Sequence, residues 1–148
     1  VGMYGISPLP GDADQSALKT VATLRTSIIA MHKYPAGATI GYGRRGVTTR
    51  DSVIATIPIG YADGVNRHLG CGHASFVVEG VSCPTIGNIC MDLCMIDVTD
   101  CPKAHIGSSV EIFGKHAPIQ RLAETLDTIP YEVLTSVSSR VKRLYFRE

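Results

Sequence analysis

The sequence predicts a mainly β domain, an open β-barrel or sandwich-like fold with one or two short helices near the C-terminus. Three observations carry this expectation. Short runs rich in β-branched residues recur along most of the chain, parted by glycine and proline turns. Glu79-Gly80 joins two such runs as a two-residue hairpin signal. Helical spacing of apolar residues begins only after Pro118. Many short strands with few helices pack as a sandwich or barrel. At 148 residues the length suits one domain with a real core.

Leu9-Pro10-Gly11-Asp12-Ala13-Asp14 reads as a loop by composition. From Leu18 to Lys33 the chain is β-branched and partly alternating, with Val21, Thr23, Arg25 and Ser27 opposing Ala22, Leu24, Thr26 and Ile28. That predicts one long strand, bulged where Ile28-Ile29-Ala30 breaks the period. Pro35-Ala36-Gly37 turns the chain. Asp51 to Ile59 is the next strand. Ser75–Val78 and Val81–Cys83 flank the Glu79-Gly80 turn, where glycine supplies a positive φ. Leu93–Val98 and Ser109–Phe113 are further strands. Ile119, Leu122, Ala123 and Leu126 repeat at i, i+3, i+4 and i+7 behind Pro118, which predicts a helix. Pro130 opens a second, short helix bearing Tyr131, Leu134 and Val137, and Val141 to Phe146 reads as a closing strand.

Several classes are disfavoured. The net charge is +1 and no basic, aromatic-interleaved stripe occurs, so nucleic acid is not an expected partner. No stretch approaches the roughly 20 apolar residues that span a bilayer. The start shows neither a basic n-region nor a continuous apolar h-region. The five cysteines, Cys71, Cys83, Cys90, Cys94 and Cys101, are odd in number and form no CxxC pair. Free thiols in a reducing, cytoplasmic setting are therefore expected. Cys90-x3-Cys94 with Asp92 lacks a second ligand pair at zinc spacing, so no metal site is expected and the cysteines read as small buried hydrophobes. The five histidines fall in no metal or triad pattern.

The chemistry-bearing signals are four short runs. Ile40-Gly41-Tyr42-Gly43-Arg44 and Pro58-Ile59-Gly60-Tyr61-Ala62-Asp63-Gly64 each hold a tyrosine in a glycine-flanked turn at a strand end. Glycine lets the backbone bend sharply and approach another surface closely, so the phenol between such turns points away from the sheet. Ile86-Gly87-Asn88-Ile89-Cys90-Met91-Asp92 and Ile129-Pro130-Tyr131-Glu132-Val133 follow.

In this order and at these separations, the four runs resemble the C-terminal domain of bacterial alanine racemase. That family typically shows a (G/S)YGR-like turn, then PIGYADG, then GR(I/V)CMD, then NYE. The opening Gly2-Met3-Tyr4-Gly5-Ile6-Ser7-Pro8 is similar to the stretch that leaves the family's N-terminal barrel, so the resemblance covers the whole chain.

The resemblance implies a function and residue roles. By this resemblance Tyr42 is implied to be one of two catalytic bases of a pyridoxal-phosphate-dependent enzyme that interconverts L- and D-alanine for peptidoglycan. It stands across the coenzyme from a lysine of the other domain. The coenzyme stabilises a carbanion at the α-carbon, and inversion needs one base on each face. A phenol with a pKa near ~10 serves as a base only where a cationic or hydrogen-bonding neighbour favours phenolate. Without the resemblance, Tyr42 is an amphipathic tyrosine at a strand end. Tyr61 is implied at the inner gate of the substrate channel; behind Ile57 and Ile59 it also suits core packing. Arg67 is implied in the access corridor, or is a solvated surface arginine. Met91 is implied to bind the substrate carboxylate through its backbone N–H, and otherwise packs in the core. Tyr131 is implied to hydrogen-bond the coenzyme phosphate, or packs at a helix start. The Val1 backbone N–H falls where the family donates to that phosphate. Asp63-Gly64 reads as a turn pair and Asp92 as a brace of its own turn.

Two departures stand out. Asn88 replaces the family's usual arginine and removes a cation from the channel region. Pro130 replaces the asparagine before Tyr131. The lysine that carries the coenzyme, and the barrel around it, have no counterpart among Lys19, Lys33, Lys103, Lys115 and Lys142. The chain, 1–148, is therefore expected to be one domain of a larger head-to-tail dimeric enzyme, paired with the N-terminal barrel of its own chain and of a second subunit. In the family Tyr42 acts in trans. The rival expectations are a racemase or decarboxylase of another amino acid, such as serine, on the same framework, or a non-enzymatic β-barrel interaction module. Tyr42 and Tyr61 weigh against a decarboxylase, and the order of the four runs weighs against a bare module.

Overall fold

The computed structural model of the chain describes residues 5–6 and 18–146. Val1, the Gly2–Pro8 run apart from Gly5 and Ile6, and the expected loop at 9–14 lie outside the described residues. In chain order the strands are β1 Leu24–Ser27, β2 Ala30–Tyr34, β3 Thr39–Ile40, β4 Gly46–Val47, β5 Ser52–Ile57, β6 Ser75–Val78, β7 Val81–Pro84, β8 Cys94–Asp97 and β9 Ser109–Phe113. Two helices follow, α1 Ile119–Thr125 and α2 Pro130–Ser136.

The strands form an antiparallel four-stranded sheet, β1-β9-β6-β7, and a three-stranded sheet, β2-β5-β8. A small β3–β4 hairpin stands apart. The mainly β expectation is met, with the sheets open rather than closed into a barrel. They meet instead at two corners.

The first corner corrects the single long strand expected over 18–33. The chain pairs with β9 up to Ser27 and with β5 from Ala30. Between them, Ile28 N–H donates to Ser108 O at 3.0 Å and Ile29 N–H donates to Thr56 O at 3.0 Å. Consecutive amides thus serve opposite sheets. Ile28 is fully buried at the joint. The break in period marks a change of sheet, not a bulge within one strand.

The second corner is a bridge between Thr85 and Ile96, followed by Ile86 N–H to Met95 O at 2.9 Å. The buried Thr85 hydroxyl donates to Leu69 O at 2.6 Å and accepts from Gly72 N–H at 3.2 Å. This corner therefore also holds the 67–72 segment.

Inward positions alternate as a half-buried pleat requires. Phe76 and Val78 on β6, Ile57 on β5, Ile96 on β8 and Val110 on β9 form one buried cluster. The Glu79-Gly80 turn has φ of 49° and 80°, the positive values that a tight two-residue hairpin demands. Helix α1 buries Ile119, Leu122 and Ala123, and α2 buries Val133, with Pro130 in its first turn. No helix among the described residues is long and apolar enough to cross a membrane.

The closing strand expected over 141–146 is a second correction: no ladder forms there. Arg143 Nη2 donates to Val137 O at 2.9 Å, while Nη1 donates to Ser138 O at 3.1 Å and Val141 O at 3.2 Å. The side chain thus folds back on carbonyls before and at the start of the stretch, and Leu144, Tyr145 and Phe146 are exposed.

Glu111, in the middle of β9, is a buried carboxylate. It accepts from His116 N–H at 2.7 Å, Ala117 N–H at 3.1 Å and Arg25 Nη2 at 3.2 Å, with His116 Nδ1 at 3.3 Å. Burial pushes its carboxyl up, but these donors outweigh burial and hold it below the usual 4.5. The stability it contributes is present above that value and is lost as pH falls through the lower folded-state value. Glu111→Gln is expected to cost about 2 kcal/mol at neutral pH. Denaturant unfolding of both forms from pH 7 to pH 3 should show the gap narrowing with acid; a constant gap would show that the charge is irrelevant.

Candidate active site

The loop between β7 and β8, residues 85–93, is a platform on which both tyrosine turns rest. It is held from behind by Cys71 N–H to Gly87 O at 2.8 Å and closes on itself through Cys90 N–H to Leu93 O at 2.9 Å.

Tyr42 opens a 3-10 turn, Tyr42–Arg44, at the tip of the β3–β4 hairpin. Gly41 and Gly43 have φ of 76° and 70°, and Arg44 follows at 53°. Three left-handed backbone positions in four residues need at least two glycines. The hairpin lies close on Gly87: a Cβ added at Gly46 would sit 2.6 Å from Gly87 N. Asn88 Nδ2 donates to Tyr42 O at 2.9 Å. The residue is 81% exposed, and its hydroxyl has no hydrogen bond among the described residues.

Tyr61 opens the second 3-10 turn, Tyr61–Asp63. Its N–H donates to Cys90 O at 3.0 Å, and Ala62 N–H donates to Met91 O at 3.0 Å. Gly60 makes this approach possible, because a Cβ there would lie 2.3 Å from Cys90 O. Asp63 is buried beneath the turn. Its Oδ2 accepts from Gly60 N–H at 2.9 Å and its Oδ1 accepts from Arg140 Nε at 2.7 Å. Arg140 Nη2 also donates to Asp92 Oδ1. One guanidinium therefore ties the C-terminal segment to the turns carrying Tyr61 and Met91.

Tyr42, Tyr61, Arg67 and Met91 are brought to one cleft of about 460 Å³, with Asn88 and Asp92 on its wall. Tyr61 is 41% exposed and Met91 53%, so neither is the core side chain that its apolar neighbours permit. Met91 N–H meets no acceptor among the described residues. Arg67 lies in a third 3-10 turn, Arg67–Leu69, capped by Asn66 Oδ1 accepting from His68 N–H at 2.9 Å. It and Tyr61 also border a neighbouring cleft of about 650 Å³ against α2 and the 126–128 segment before it. Tyr131 lines neither cleft. It is half-buried, and its hydroxyl donates to Ile6 O at 3.3 Å. Val1 is outside the described residues.

Two residues of this arrangement were not legible as such. Arg140 carries no motif; its partners Asp63 and Asp92 are 77 and 48 residues away. Asn88 stood out as a departure from a pattern, not as a brace of the Tyr42 turn. Asp92, expected to brace its own turn, instead accepts from Arg140.

All five cysteines are free thiols. Burial pushes the Cys83 and Cys94 thiols up to about 12, so both are neutral, unreactive core groups. No cluster of three or more metal-ligating side chains occurs among the described residues.

Comparison with known proteins bears on this cleft. Residues 21–145 match the family model described as "Alanine racemase, C-terminal domain". The chain is 41% identical over 150 residues to alanine racemase 1 of Clostridium acetobutylicum, covering 98% of this chain and 39% of that protein. It is 41% identical over 144 residues to the alanine racemase of Stutzerimonas stutzeri, covering 97% and 40%. Among solved structures, the biosynthetic alanine racemase of Pseudomonas aeruginosa superposes with a TM-score of 0.91 at 31% identity, over 99% of this chain and 41% of that one. The alanine racemase of Bartonella henselae, solved with covalently bound pyridoxal phosphate, gives 0.90 at 35% identity, over 98% and 40%. The chain thus spans about two fifths of the length of these relatives.

Proposed function

The chain belongs to the alanine racemase C-terminal domain family, and we propose that it forms one wall of a pyridoxal-phosphate-dependent active site that interconverts L- and D-alanine. The observation that carries this is the cleft itself: an exposed phenol at Tyr42, with Tyr61, Arg67 and Met91 around one opening. A site whose base faces outward is completed by something that covers it. The reading is that a barrel of the relatives' kind covers it, from a second subunit, so that Tyr42 acts across the subunit boundary of a dimer. A cytoplasmic enzyme supplying D-alanine for peptidoglycan follows from the same reading, and five free thiols suit that setting.

Outside the cleft, Tyr131 offers a hydrogen-bond donor that suits the coenzyme phosphate. At 3.3 Å, the bond from Tyr131 to Ile6 O is long for a hydroxyl donor. A phenolic hydrogen swings easily about its C–O bond, so Tyr131 can give it to a phosphate oxygen instead. Pyridoxal phosphate, when bound, supplies the electron withdrawal that lets the α-proton leave. The rest is the chain's own work. Met91 N–H, free of any acceptor among the described residues, receives the substrate carboxylate. Arg67 draws that carboxylate inward, and Tyr61 walls the path. Tyr42 Oη removes the α-proton of L-alanine or returns one to that face. A base on the opposite face, the lysine of the barrel, does the reverse for D-alanine. For Val1 and the phosphate only the resemblance speaks.

The isolated chain, mixed with pyridoxal phosphate and L-alanine, is expected to form no D-alanine, because one base returns the proton to the face it left. Chiral analysis of the mixture decides this. D-alanine production by this chain alone would put both bases on it and overturn the two-part site.

A further inference from the structure

We propose that Asn88 is the positioning residue for Tyr42: its side-chain amide holds the backbone of the turn and so sets where the phenol stands. The inference rests on the reading of Tyr42 as a base. Asn88 Nδ2 donates to Tyr42 O at 2.9 Å. On the other side, the Cys71 thiol lies 3.7 Å from Asn88 Oδ1. A carbonyl oxygen only accepts and an amide nitrogen only donates, so this pair of partners sets which way the amide faces.

The turn needs such a tie. Within it, Arg44 N–H to Gly41 O at 3.2 Å is the sole backbone hydrogen bond, and Asn88 provides the only side-chain hydrogen bond to it among the described residues. Gly41, Gly43 and Arg44 all have positive φ, and the two glycines have no side chains to pack against the platform. Tyr42 itself is 81% exposed, so its ring anchors nothing within this chain. A base must stand within about 0.5 Å of its working place, and a misplacement near 1 Å costs on the order of 100-fold in rate. The carbonyl of Tyr42 is where the residue is hydrogen-bonded to the platform loop. Gly87, next to Asn88, is itself wedged: a Cβ on it would lie 2.7 Å from Ile40 O. Asn88 thus transmits the position of the platform loop to the phenol through one amide.

The test uses the full-length enzyme that carries this domain. Asn88→Asp keeps the shape and removes the donor; Asn88→Ala removes the arm. Exchange of the α-proton with deuterated solvent is followed separately from L- and D-alanine, by NMR. Both variants are expected to lose about 10- to 100-fold in exchange from L-alanine. Exchange from D-alanine, which the opposite base begins, should stay within about 3-fold. In the enzyme without substrate, deuterium uptake by the 41–46 backbone should rise in both variants. Equal losses from the two isomers would make Asn88 a general structural residue and overturn the proposal, as would unchanged exchange from L-alanine. Tyr42→Phe is run alongside. If it keeps exchange from L-alanine, the reading of Tyr42 as a base falls. If it loses that exchange while Asn88→Asp does not, only the positioning role falls.

Discussion

Tyr42→Phe in the full-length enzyme is expected to lower racemisation in both directions by about 10²- to 10⁴-fold, the usual worth of a positioned acid or base. Each direction needs one group to remove the proton and another to return it, so loss of either stops net inversion. The substitution is clean. The Tyr42 hydroxyl makes no hydrogen bond among the described residues, and the residue is 81% exposed. Phenylalanine keeps the ring and breaks no contact within the domain. The thermal midpoint should therefore stay where it was while kcat collapses. Steady-state kinetics with each isomer, beside a melting curve, separates the cases. Full activity would return Tyr42 to an ordinary strand-end tyrosine, and a lowered midpoint would make the loss one of folding.

Gly60→Ala is expected to have the largest effect on the fold of the site. The new Cβ would lie 2.3 Å from Cys90 O and 2.4 Å from Met91 O. These are backbone atoms, and a side-chain rotation cannot relieve the clash. The Tyr61 turn and the Cys90–Met91 segment must part, which breaks the bonds from Tyr61 N–H and Ala62 N–H. Two lost backbone hydrogen bonds at about 1 kcal/mol each, with a similar cost in displaced packing, come to about 3 kcal/mol. For a domain of this size, that lowers the midpoint by about 6–12 °C. Tyr61 and Met91 move together, so kcat/KM should fall as well. Calorimetry and kinetics on the same preparation test this; wild-type values for both would mean that the turn and the platform are not in the contact described.

What could be read from the residues was local. The Glu79-Gly80 hairpin needs only a glycine that tolerates positive φ between two β-branched runs. Helix α1 needs only apolar residues at i, i+3, i+4 and i+7 behind a proline. The turns of Tyr42 and Tyr61 were legible for the same reason. Glycines near a bulky side chain at a strand end permit the positive φ and close backbone approach that such a turn needs. The runs marked Tyr42, Tyr61, Met91 and Tyr131 through resemblance, which also added Arg67; Tyr42, Tyr61, Arg67 and Met91 line one cleft and Tyr131 does not.

The remainder depended on which distant groups meet. Nothing within 18–33 says that Ile28 and Ile29 donate to carbonyls of two different sheets, because Ser108 and Thr56 are set by the packing of both sheets over one core. Val141–Phe146 has the composition of a strand, yet a strand forms only where a free edge lies alongside it, and Arg143 takes the nearby carbonyls first. Arg140 looks like any exposed arginine until Asp63 and Asp92 are brought under it. Asn88 shows its use only when the hairpin of Tyr42 is laid on the platform. Turn and helix propensities act over a few residues and are written in the chain. Ladders, ion pairs and braces form between segments tens of residues apart, and burial of the shared core decides which of them come within 3 Å.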